Sequence, residues 1–62
     1  MEAIRSTLEG ARGAGRGVVL HVGGGSLPLM VDELTADAVI GHDRSHGRIV
    51  VRLDRIDAVS TA

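Results

Sequence analysis

Arg48-Ile49-Val50-Val51-Arg52-Leu53-Asp54-Arg55-Ile56-Asp57-Ala58-Val59-Ser60 is the stretch whose reading decides the fold. Ile49, Val51 and Leu53 alternate with Val50 and Arg52, the period of two that a strand shows when one face is buried. A strand is therefore expected over 48–53. Asp54-Arg55 makes a brief turn, and Ile56 to Ser60 forms a short last strand.

Working outward toward the N-terminus, the same β pattern continues. His42-Asp43-Arg44-Ser45-His46-Gly47 contains a turn, preceded by a strand over 37–43 and a tight connection at Thr35-Ala36. Residues 27–34 form another extended run, with Pro28 near its start, where a missing N–H is tolerable at an edge. Gly23-Gly24-Gly25 reads as a hairpin turn with freedom for positive φ. The run over 17–22 is β-branched and apolar. Only the first residues break the pattern. Ala3, Ile4, Leu8 and Ala11 recur at three- and four-residue steps, while Glu2, Arg5, Glu9 and Arg12 take the opposite face. That is an amphipathic helix over 2–11, acidic at its start and basic at its end as the helix dipole prefers. Gly10, Gly13, Gly15 and Gly17 are expected to stop it. The chain thus reads as one mostly β domain: a short helix, then five strands of a small, strongly bent barrel.

Composition adds a demand for partners. The 62 residues include no cysteine and no aromatic residue, so the core must be aliphatic and unassisted by disulfides. A chain near this size buries only about 60% of its unfolded surface, and small domains compensate with disulfides, metals or oligomerisation. Yet 44% of this one is apolar, more than so small a barrel hides inside itself. Large exposed apolar patches mark interfaces, so self-association is expected. The net charge of −1 gives no basic field of the kind that drives non-specific nucleic-acid binding. All seven positive charges are arginine, the better residue for planar or stacked contacts. No apolar run approaches the roughly 20 residues that span a bilayer, and no signal-peptide pattern opens the chain. A cytoplasmic protein is expected.

The order of elements, and two stretches of residues, resemble the Sm-like family. Ile49 to Val59 looks like its second Sm motif, in which a hydrophobic strand runs into Arg-Gly, a turn, and a strand opening with Ile. Arg52 matches the arginine and Ile56 the isoleucine, while Leu53 replaces the glycine. Asp37-Ala38-Val39-Ile40-Gly41-His42 resembles the first motif, with Asp37 matching its aspartate and Gly41 standing where its asparagine would be. The resemblance implies an SH3-like barrel and a homo-oligomeric ring, a hexamer or heptamer, in which strand four of one subunit pairs with strand five of the next. It also implies binding of single-stranded RNA or nucleotides at an inner rim. Arg52 would supply charge and stacking there, with Asp37, Gly41 and His42 assisting. The bacterial Hfq branch carries Tyr-Lys-His where this chain has Arg52-Leu53-Asp54, and its distal aromatic has no counterpart here.

The remaining polar residues admit plainer readings. Arg52 alternates away from the core, so a solvated pair with Asp54 or Asp57 competes with a binding role. His42, Asp43 and His46 are metal-ligand types, but they crowd into one turn, and no metal or other cofactor is expected. His21 lies opposite the face of Val18, Leu20 and Val22 and reads as a surface or interface residue. The glycine triplet lacks the lysine and following helix of a phosphate loop. Arg12 and Arg16 read either as a basic lateral rim or as part of a flexible connector. No nucleophile, base and acid are spaced for catalysis, so no enzyme is expected. The alternative to an RNA-binding ring is a structural or regulatory oligomer that has lost RNA binding, with, as a variant of it, one that binds a small nucleotide between subunits.

Overall fold

The computed structural model describes residues 2–61 of the chain. Helix α1 (Glu2–Ala14) precedes strands β1 (Gly17–Val22), β2 (Gly25–Leu34), β3 (Ala38–Asp43) and β4 (Gly47–Arg52). A single 3-10 turn, Leu53–Arg55, then leads to β5 (Ala58–Thr61). Every pairing is antiparallel, in one open sheet of order β4-β3-β2-β1-β5. The chain is mostly β, a helix followed by five strands. Its two sheet edges are β4 and β5.

The helix runs one turn past the expected end at Ala11, through Gly10 and Gly13. Glycine costs about 1 kcal/mol relative to alanine inside a helix, which docking offsets here, because Leu8 and Ala11 are buried. The stop comes at Gly15, whose φ is +66°. Arg16 N–H donates to the Ala11 carbonyl at 2.9 Å and Gly15 N–H to that of Arg12 at 3.3 Å. Those two bonds close the helix through a left-handed residue, for which glycine is the natural choice. Side chains fasten the outer surface: Arg5 donates to the Thr35 carbonyl at 2.9 Å and Arg12 to that of Asp32 at 3.1 Å.

Strand limits differ from the expected ones where side chains or turns override the alternation. Gly25 pairs with Val22 and opens β2, leaving Gly23 and Gly24, with φ of +56° and +84°, as a two-residue hairpin turn. Asp37 lies before β3 rather than in it. Thr35 Oγ1 accepts from the backbone N–H of both Asp37 and Ala38 and so fixes that corner. Leu53 is not the last strand residue but the first of the 3-10 turn. The turn has about three residues per revolution, which sends Leu53 and Ile56 to the same side, and both are buried. The last strand accordingly begins at Ala58, not Ile56.

This connector also requires the sheet to bend. It runs from Leu53, whose N–H donates to the Asp37 carbonyl at 2.8 Å, to Asp57, whose N–H donates to the His21 carbonyl at 2.8 Å. Five residues therefore join the start of β3 to the far end of β1, across a sheet whose strands lie about 4.8 Å apart. A flat sheet would not allow it. The bend is helped by a register shift between Val31 and Glu33 in β2, since a bulge kinks its strand and increases twist. Gly41 answers it on β3: a Cβ there would fall on the Met30 carbonyl oxygen and lie 2.8 Å from the Leu29 side chain. Val18, Leu20, Leu29, Val31 and Val39 from the sheet meet Leu8, Ala11, Leu53 and Ile56 in one aliphatic core. No helix among the described residues is long and apolar enough to cross a membrane.

Candidate nucleic-acid interface

Alternation along β4 turns Ile49 and Val51 toward the core and Arg48, Val50 and Arg52 outward. Val50, 60% exposed, is the most exposed large apolar residue among those described. It pairs across the ladder with Ile40, Arg52 with Ala38, and Arg48 with His42. The outer face of this sheet edge is thus an apolar centre with an arginine on either side. Arg48 escaped the sequence reading, although its position four residues before Arg52 on an alternating strand was the signal for it.

Arg52 ends β4 with its side chain 67% exposed, and its Nη2 donates to Asp54 Oδ2 at 2.8 Å. The 3-10 turn produces this pair, because it folds residue 54 back beside residue 52. Asp37 is close in the fold: its carbonyl is bonded to Leu53 N–H, next to Arg52. Arg52 and Asp37 therefore come together at one end of the edge. His42 does not join them. It stands opposite Arg48, four residues along the ladder from Arg52, about 13 Å at strand rise. Its Nδ1 lies 2.8 Å from Asp32 Oδ2, at the bulge. Gly41 is buried and offers no side chain to a ligand; close packing of β2 on β3 explains the residue.

The other polar residues form small local pairs. His46 Nδ1 is 3.0 Å from Asp43 Oδ2, and that carboxylate also accepts from Ser45 N–H at 3.3 Å. The hydrogen bond from His46, first of all, holds the Asp43 carboxyl below the usual carboxylate range. Its charge is thereby committed to the turn. His21 Nε2 lies 2.9 Å from Ser60 Oγ, while Asp57 turns its Oδ2 to Gly23 N–H at 3.0 Å. Ser60 thus has a histidine neighbour but no shown acid behind it. Among the described residues no three His, Asp or Glu side chains gather as metal ligands. No protein-family model matches the chain, and no curated protein matches it.

Proposed function

We propose that this chain is the protomer of a cytoplasmic, Sm-like homo-oligomeric ring, a hexamer or heptamer, that binds single-stranded RNA or nucleotides at its inner rim. The observation that carries the proposal is the pair of edge strands, β4 and β5, at the two ends of one open sheet. Open edges invite pairing with another chain, and a head-to-tail contact that closes makes a ring. Joining β4 of one copy to β5 of the next leaves no edge free. The same contact shelters the apolar outer surface at Val50. Arg52 stands at the end of the joined edge, with Asp37 beside it. It supplies charge and a planar stacking surface, as single-strand readers without aromatic residues require. His42, on the Arg48 side, assists at a second position along the same outer face.

Affinity in this reading is modest, since the chain carries no excess of positive charge, and it falls with salt to the extent that arginines contact phosphates. Several copies of a weak site in one ring restore useful avidity. One observation favours a second reading, a structural or regulatory oligomer without RNA binding: the Arg52 guanidinium is already engaged by Asp54. Molecular mass in solution, followed by titration of labelled oligo-U and oligo-A at low salt, separates the two. The RNA reading expects micromolar binding that Arg52→Ala weakens at least tenfold. No binding at tens of micromolar by an intact oligomer leaves the second reading, and a monomer overturns both.

A further inference from the structure

A groove of about 450 Å³ opens on the outer face of β1, β2 and β3, away from the Arg52 end of β4. Its floor is apolar, made by Val19, Pro28 and Met30, with Gly17 on its lining and the Met30 thioether packed close to the place a side chain there would take. A Cβ at Gly17 would lie 3.2 Å from Met30 Sδ. At the other end the rim carries His42 and Arg44. The ladder shows how these groups line up: Gly17 is opposite Met30, Met30 opposite His42, and His42 opposite Arg48. One row across three strands therefore passes from bare backbone at Gly17 to the Met30 thioether and the His42 imidazole, over about 10 Å at ladder spacing, and Arg44 follows His42 by two residues on the same rim.

The acids near this row already have partners. Asp32 is held at His42 Nδ1, 2.8 Å away, which fixes the ring and leaves Nε2 as its free nitrogen. Asp43, on the same rim, has its carboxylate engaged by His46 and Ser45 within the turn. Arg44 forms no ion pair and no side-chain hydrogen bond among the described residues. The groove thus offers an apolar hollow at one end and an uncommitted guanidinium at the other. The chain has no aromatic ring of its own to lie against the Met30 sulfur, a contact that aromatic groups favour. Guanidinium, in turn, matches a carboxylate in two parallel hydrogen bonds.

We propose that this groove binds a small aromatic carboxylate, its ring in the hollow over Gly17 and Met30 and its carboxylate at Arg44 and His42. The site shares His42 with the proposed RNA face but requires neither the ring assembly nor Arg52. The test is a two-dimensional amide NMR titration with 2-naphthoate, and with 2-naphthol as a neutral control. Wild type is compared with Arg44→Ala, an exposed turn variant, and Gly17→Val, whose side chain displaces the Met30 thioether and so crowds the groove, at a position with ordinary strand backbone. A probe of this size should saturate with a Kd of about 1 mM or tighter, and shift the amides of Gly17, Val19, Met30, His42 and Arg44. Arg44→Ala should weaken 2-naphthoate about tenfold and leave 2-naphthol unchanged. Gly17→Val should abolish the shifts from both probes while keeping a native-like spectrum. Shifts that never saturate, that gather instead at β4, or that survive Gly17→Val in a folded protein would overturn the proposal. So would equal binding of 2-naphthoate by wild type and Arg44→Ala.

Discussion

Arg52 and Asp54 show how a single close pair sets the behaviour of a candidate site. Both side chains are more than half exposed, at 67% and 54%, and exposed pairs of this kind contribute about 0–1 kcal/mol. Such a pair barely stabilises the fold, yet any anion seeking the guanidinium must displace Asp54. Asp54→Asn is expected to leave the melting temperature nearly unchanged and to raise oligo-U affinity by up to about fivefold, measured by fluorescence anisotropy at low salt. Asp43 gives a pH-dependent counterpart. Its carboxyl is held below the ordinary value of 3.8, so the folded turn favours the ionised form. The stabilisation is complete at neutral pH, and it is lost only as pH falls through that lowered value. A carboxyl-detected NMR titration should place the Asp43 midpoint below 3.8, and His46→Ala should move it back up toward that ordinary value. Gly41 has a different kind of importance. Gly41→Ala drives a methyl group into the Met30 carbonyl and the Leu29 side chain, and overpacking of that sort costs roughly 1–3 kcal/mol, readable in urea unfolding. The outward direction of Arg52 was legible in the sequence because alternation alone gives it. Gly41 was not, since its cause is a bulge ten residues earlier on another strand.

At the scale of elements, the helix and the strands were legible because their periods differ, but their ends depend on contacts that no short window contains. Gly10 and Gly13 look like stops on propensity, and docking of Leu8 and Ala11 carries the helix through both. The left-handed conformation falls instead on Gly15, where two carbonyls near the helix end are satisfied by backbone N–H groups. A residue with a Cβ pays about 1–2 kcal/mol in that conformation. Gly15→Ala should therefore lower unfolding free energy by about that amount and fray the last turn, seen as faster amide exchange at Gly15 and Arg16. The end of β4 follows the same logic. Alternation predicts Leu53 as one more strand residue, and its burial agrees with that. What the alternation lacks is Ile56, which must reach the same core three positions later and so forces a 3-10 turn. The Arg52–Asp54 pair is a by-product of that turn.

For the whole molecule, the question is how an aliphatic chain of 6.4 kDa stays folded. Its core consists of nine buried side chains, with no aromatic ring and no disulfide to add to them. Domains of this size bury too little surface to be more than marginal alone, while β4 and β5 leave two ladders of backbone groups unpaired. Association through those edges would supply both missing terms at once, covering Val50 and completing the ladders. Stability should then depend on protein concentration, because a partner that binds only the folded chain raises the apparent melting temperature by mass action. Thermal unfolding followed by circular dichroism should show the midpoint rising over a hundredfold range of concentration. Val50 provides the sharper test, since its 60% exposure means that the protomer's own core does not need it. Val50→Lys places a charge on the outer face of an edge strand, the device by which natural sheets prevent edge-to-edge pairing. That variant should sediment at the protomer mass and melt at a midpoint independent of concentration, while keeping a native-like β spectrum at low temperature. Wild type that also sediments as a protomer, with the same melting midpoint at every concentration, would rule out edge pairing as its source of stability.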